Sequence, residues 1–282
     1  MPVGRQQDFP RRFARLFSLK ISFRSKDTLR YRFKRCYWVS FDGSTEGFPM
    51  SEAAKATEGT QEPLSQTLES GDGFVAPRYR SGQRSADALL EAGRMLLTQI
   101  SYEGLSVTDL CSQANLTKGA FYRRFETKDA FFLTLQRLAL DDAQRAQAHL
   151  ADLHRRGECG EDFSADVRVI VEVIRLWHLK HCGVLRASLQ RRDHTAGGWQ
   201  PFKEFARGFV DELAARLGNT LALRGDEEAV TRLRFGFQMM IGTMINAALN
   251  DPGPLQLADT AMTDELARML VFYVRGDRVS GG

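Results

Sequence analysis

Residues 106–128, SVTDLCSQANLTKGAFYRRFETK, confine this chain to two short helices joined by a tight turn. Ser106 stands where its hydroxyl caps the free N–H groups of the first helix, and Asp109, three residues on, completes a capping box and suits the positive helix end. Val107, Leu110, Cys111 and Ala114 recur at i, i+3, i+4 and i+7, so one face is apolar. Asn115 tolerates the left-handed backbone that a sharp turn demands, Leu116 plugs the angle between the helices, and Thr117 caps the second. There Phe121 and Phe125, four apart, bury together and turn Lys118, Tyr122 and Arg123 outward. Gly119 costs about 1 kcal/mol of helix propensity against Ala, at a position where a missing side chain lets backbone approach a partner closely. A basic, aromatic helix presented this way has the chemistry to read a DNA groove.

Upstream, Leu89, Ala92, Gly93, Leu96, Leu97 and Ile100 predict a third amphipathic helix that completes a small three-helix core. From Ser85 to Leu135 the chain resembles the N-terminal domain of the tetracycline-repressor (TetR) family of bacterial transcription regulators, and TKGAFYRRF follows that family's recognition-helix pattern. The resemblance implies an all-α fold: a three-helix helix-turn-helix domain, then a larger helical body for effector binding and dimerisation. It also implies a cytoplasmic homodimer that binds double-stranded operator DNA, most often a repressor released by a small-molecule effector.

Carried over by position, the resemblance makes Thr117, Lys118, Gly119, Ala120, Tyr122 and Arg123 the recognition surface. Tyr122 and Lys128 fall where the family holds phosphates, and Thr108 where the preceding helix touches the backbone. Phosphate contacts position such a module and base edges choose the sequence, so Arg123, able to pair bidentately with guanine, is the candidate base reader. Arg124 is a phosphate contact or merely solvated. Three departures stand out. Ser101 replaces the usual Gly, so the first helix ends less sharply or uses Gly104 as its left-handed residue. Asn115-Leu116 replaces Gly-Val and keeps turn chemistry. Arg123 and Arg124 replace residues that are frequently His, which leaves the operator sequence unread.

At 282 residues the chain is long enough for two domains with a sizeable core, and it has no membrane-length apolar run. Cys36, Cys111, Cys159 and Cys182 show no CxxC pair, which fits unbridged thiols in a reducing compartment. The pI near 8.9 says little about DNA, because the basic excess is N-terminal: residues 1–38 hold eleven Lys or Arg against two acids. We therefore divide the chain into an extension at 1–80, a helix-turn-helix domain at 81–130, a helical effector and dimerisation domain at 131–276, and a tail at 277–282. The extension ends in a polar stretch read as a disordered linker. Its Arg-rich start has three readings: a DNA-tracking arm, a targeting segment, or a stretch upstream of a true start at Met50.

Beyond Phe131, helices are predicted between breaks at 157–160, 195–201, 218–225 and 251–254. Phe237, Ile241 and Met244 lie on one stripe, and Leu266, Met269, Leu270 and Tyr273 repeat the spacing. By resemblance these form the dimer interface, the alternative being that they face their own subunit's core. Trp177, His178, Cys182, Phe202, Phe205, Phe209, Gln238 and Asn246 are candidate effector-pocket residues, mixing apolar bodies with polar tips. His178, His181 and Cys182 at i, i+3 and i+4 have metal-ligand spacing, but Gly183 reads as a helix end, where His is favoured by the dipole. No metal or cofactor is therefore assigned. No P-loop, dinucleotide fingerprint or G-x-S-x-G elbow is present, which argues against an enzyme. The rival to a ligand-released regulator is a non-switching protein that organises DNA or recruits a partner on the same scaffold.

Overall fold

The computed structural model describes residues 20–23, 29–32, 68–155, 162–191, 198–220 and 227–275. The chain divides into two units, Met1–Glu62 and Pro63–Gly282. In the first, β1 (Lys20–Phe23) pairs antiparallel with β2 (Leu29–Arg32), Lys20 opposite Arg32 and Phe23 opposite Leu29. The rest of the basic extension and the polar linker up to residue 67 lie outside the described residues, as do Cys36, Cys159 and the tail.

Every regular element described in the second unit is an α-helix: α1 (Arg80–Leu96), α2 (Val107–Ala114), α3 (Lys118–Tyr122), α4 (Lys128–Arg155), α5 (Phe163–Gln190), α6 (Gln200–Thr220), α7 (Glu227–Asn250) and α8 (Thr260–Arg275). None of the described helices is long and apolar enough to cross a membrane. Leu89, Leu90 and Leu97 of α1 and its end are fully buried. Gly93 is required there: a Cβ on it would lie 2.4 Å from Cζ of Phe131 on α4. The end of α1 unwinds through tight turns, Thr98 N–H to Met95 O and Gln99 N–H to Leu96 O. Gly104 does not adopt the left-handed backbone; its N–H instead donates to Ser101 Oγ, so the serine closes this loop with its side chain.

The 130/131 division falls in the first turn of α4, which runs unbroken from the helix-turn-helix into the body. One apolar cluster spans both, joining Leu89, Leu110 and Phe121 to Leu138 on α4 and Val184 and Leu185 on α5. α5 also runs straight through Gly183 to Gln190 rather than ending there. Gly183 is instead the point of closest approach to α1: a Cβ would sit 2.6 Å from the carbonyl carbon of Leu97. Arg186 donates to Leu97 O at 2.6 Å, and Arg94 donates to Lys180 O at 2.8 Å.

The folded part also begins before residue 81. Asp72 and Gly73, both at positive φ, form a two-residue turn closed by reciprocal bonds between Gly71 and Phe74. The chain then pairs with the segment after α3, Val75 N–H to Arg124 O and Glu126 N–H to Gly73 O. Leu68 and Phe74 are buried, and Phe74 stacks on Phe125 with ring centroids 5.4 Å apart. Truncating Phe74 to Ala leaves a void beside that ring, and we expect a loss of about 3–5 kcal/mol in the urea unfolding free energy.

Candidate nucleic-acid interface

The recognition segment is built by local rules. Ser106 Oγ accepts from Asp109 N–H, and the Asp109 carboxylate accepts from Ser106 N–H, completing the capping box. Asn115 closes α2 in the left-handed region at φ 54°, and Thr117 Oγ1 accepts from Ala120 N–H to start α3. Phe121 and Phe125 are fully buried, 5.2 Å apart, and both pack on Phe131.

With those rings inward, Thr117, Lys118, Gly119, Tyr122 and Arg123 form an exposed strip, Tyr122 at 57% exposure, and Thr108 is exposed on α2. Ala120 departs from its predicted place: at 7% exposure its side chain belongs to the core, one position before Phe121. Arg124 is half-buried against the first turn of α1, close enough that a Cβ on Gly82 would clash with its guanidinium. Lys128 is turned partly inward. Its Nζ donates to Tyr102 O at 3.1 Å and Leu105 O at 3.0 Å, beneath which lies the Tyr102 ring at 4.4 Å. An ammonium has three donors, so one stays available to a phosphate. Tyr102 in turn donates to Asp129, whose carboxyl this bond holds below the usual range, and Arg191 from the end of α5 pairs with Asp129 at 3.0 Å. Nothing in the local sequence around Lys128 signals this loop tie, because its partners lie more than twenty residues upstream.

Residues 89–135 match the family model for bacterial regulatory proteins of the tetR family. Over these residues the chain is similar to the N-terminal domain of that family. Among solved structures, the fatty acid degradation regulator FadR from Bacillus halodurans is similar at 16% identity and a TM-score of 0.49, over 72% of this chain and 98% of that one. A transcriptional regulator of the TerR/AcrR family from Aquifex aeolicus VF5 is similar at 17% identity and a TM-score of 0.43, over 67% and 99%. No curated protein matches the chain.

The TetR-type domain leads into a body whose central cavity is small, about 60 Å³. It gathers Trp177, His178, Phe202, Phe205 and Phe209 from the predicted set, adding Trp199, Val173 and Ile174. Cys182, Gln238 and Asn246 do not line it. Gln238 and Asn246 face outward on α7, and Cys182 lies beyond the cavity along α5. Ile241, predicted for the dimer face, lines the cavity instead. Phe237, Met244, Leu266 and Leu270 are buried within their own subunit, while Met269 and Tyr273 are half-buried. The large apolar side chains left exposed on these helices are Phe235 and Met239 of α7 and Phe272 of α8.

His178 and His181 do not converge on a metal-like site, and among the described residues no group of three or more His, Cys, Asp or Glu does so. His178 Nδ1 donates to Ile174 O at 2.8 Å, whereas His181 Nε2 donates to Asp142 on α4 at 2.9 Å. Asp142 also takes the ammonium of Lys180. Burial raises the Asp142 carboxyl, but the His181 N–H and the Lys180 charge outweigh it and hold the group well below the usual carboxylate range. Burial pushes both histidines down to about 4, so each is neutral at pH 7.

Unfolded histidine titrates near 6.5. The stability held by keeping these two rings neutral is therefore complete above that value and is lost as the pH falls towards 4. The urea unfolding free energy, measured between pH 6.5 and 4.5, is expected to drop steadily, with a slope approaching about 1.4 kcal/mol per pH unit for each histidine. A flat profile over that range would show that the rings are not buried neutral.

Proposed function

We propose that this protein is a homodimeric, cytoplasmic transcription regulator, most simply a repressor, that leaves its operator when a small molecule enters the α5–α6 cavity. The observation that supports it best is the exposed Thr117, Lys118, Tyr122 and Arg123 strip, on a helix whose opposite face is locked into the core of a TetR-type domain. Phe235, Met239 and Phe272 supply an apolar outer face for a two-fold mate. A dimer is what the mechanism requires, since two recognition helices read successive major grooves only at a separation of about 34–36 Å or a multiple. Arg123 reads a base; Thr108, Tyr122 and the remaining donor of Lys128 hold phosphates.

One observation favours the non-switching alternative. The cavity's 60 Å³ is well short of a ligand-sized site, usually about 300–1,000 Å³. Selecting bound fragments from the source genome, then adding extracts of small metabolites, separates the two readings: release by a metabolite supports the switch, and permanent binding supports the alternative.

Gly119 gives a sharper test of the interface itself. A Cβ there meets nothing closer than Thr117 Oγ1 at 3.8 Å, so the fold has room for alanine. Gly119→Ala is expected to leave thermal stability unchanged or raise it by up to about 1 kcal/mol, yet to weaken binding to selected DNA in gel-shift titrations. Arg123→Ala in the same assay relaxes preference at one base position, at about 1–3 kcal/mol. Unaltered affinity and preference in both variants would remove α3 from the groove.

A further inference from the structure

We propose that the α5–α6 cavity takes an uncharged, largely aromatic molecule that offers a single hydrogen-bond donor to Nε2 of His178. This rests on the effector reading above and adds the ligand's chemistry. The walls are Trp177, Trp199, Phe202, Phe205 and Phe209 with small aliphatic residues between them, and among the described residues no charged side chain lines the space. Ala143 and Ala146 on α4 contribute only methyl groups to the lining. Such walls favour a planar apolar body, through area burial and offset ring contact.

The polar side-chain atoms of the lining are few: the two indole N–H groups of Trp177 and Trp199, which can only donate, and the imidazole of His178, the one side-chain acceptor. Trp177 Nε1 donates to Ala139 O at 2.9 Å, so the indole has no donor to spare. His178 Nδ1 donates to the carbonyl of Ile174 one turn earlier on its own helix. A neutral imidazole whose Nδ1 carries the proton keeps a bare lone pair on Nε2, at the ring edge away from that carbonyl. Among the described residues no donor reaches Nε2. Burial keeps the ring from gaining a second proton, so the site does not become a cation that welcomes carboxylates. An anion there would face a lone pair with no positive partner, and a carboxylate would be buried unpaired, which is strongly unfavourable. A hydroxyl or N–H on an aromatic ring satisfies both the nitrogen and the walls. At about 60 Å³ the cavity must widen to take such a body, and Phe205 and Phe209, half-buried and stacked at 5.8 Å, form its α6 wall.

Three probes of one shape test this: 4-ethylphenol, ethylbenzene and 4-ethylbenzoate, titrated into the full chain by calorimetry at pH 7.5. The phenol is expected to bind about tenfold more tightly than ethylbenzene, the worth of one buried hydrogen bond, and the benzoate not at all. His178→Leu should abolish the phenol's advantage while ethylbenzene still binds. Where that variant is poorly folded, His178→Gln, which restores a side-chain acceptor, should retain part of the preference. Ala206→Trp, on the half-buried wall, should exclude both neutral probes. Equal binding of phenol and ethylbenzene, tighter binding of the benzoate, or a phenol preference that survives His178→Leu overturns the proposal. So does absence of any binding at millimolar probe. Operator binding measured on the same preparation reports separately on the regulator reading, so the two can fail independently.

Discussion

A helix of five residues cannot hold itself, since a single turn fixes several backbone angles for almost no hydrogen bonding in return. α3 persists because Phe121, one position before its exposed Tyr122, is fixed in a ring cluster with Phe125 and Phe131, and Phe74 covers the far side of Phe125. The rings decide orientation as well as existence. With Phe121 pointing inward, the 100° step of the helix turns Gly119 and Tyr122 away from the core. The Asn115 turn and the Thr117 cap set where the helix begins, and the Phe74–Phe125 pairing sets where the chain leaves it. The exposed strip of α3 is in this sense the outer surface of an aromatic core shared by α1, α4 and the segment ahead of α1.

That core is not isolated from the body. Besides its apolar packing, α5 makes three polar contacts to the helix-turn-helix region: Arg94 to Lys180 O, Arg186 to Leu97 O, and Arg191 to Asp129 at the foot of α4. Between the first two, bare Gly183 lets the backbones of α1 and α5 meet without an intervening side chain. Contacts through backbone have no rotamer to absorb a displacement. A shift of α5 either carries the end of α1 with it or strips the Leu97 carbonyl of its partner. Trp177 and His178, which line the cavity, lie on the same helix about two turns before this joint.

What the sequence disclosed and what it hid divide along locality. The capping box, the left-handed Asn115, the Thr117 cap and the inward Phe pair are decided by neighbours within four residues, and all are legible in the string. The apolar stripes of α7 and α8 are equally legible, but whether a stripe meets its own subunit or a partner is settled by helices far along the chain. Hence Phe237 and Met244 turn out to be core, and Gln238 and Asn246 face outward. Gly183 shows the same limit: a glycine near the end of a periodic run signals a stop as readily as a close approach, and only the presence of Leu97 distinguishes them. His181 lies on a buried face next to Lys180, with no local hint that Asp142, from another helix, waits for both. The ordered segment before α1 was the exception. Asp72-Gly73 followed by Phe74-Val75 is a tight-turn signal with apolar residues behind it, obscured by the polar composition around it.

Whether this architecture works as a switch depends on which wall of the cavity gives way. A ligand changes operator affinity only by the difference between its affinities for the two arrangements, and one that fits both equally changes nothing. At about 60 Å³ the cavity must enlarge to admit most organic molecules. On one side stand Phe205 and Phe209 of α6, half-buried; on the other stand Ile174, Trp177 and His178 of α5, on a helix fixed to Leu97 and Asp129. A ligand accommodated by α6 alone would bind without disturbing DNA, and the protein would behave as the non-switching alternative. A ligand drawn down to His178 by a hydrogen bond would press against α5, which bonds to the end of α1, so in the proposed switch the depth of binding, more than its strength, would govern release.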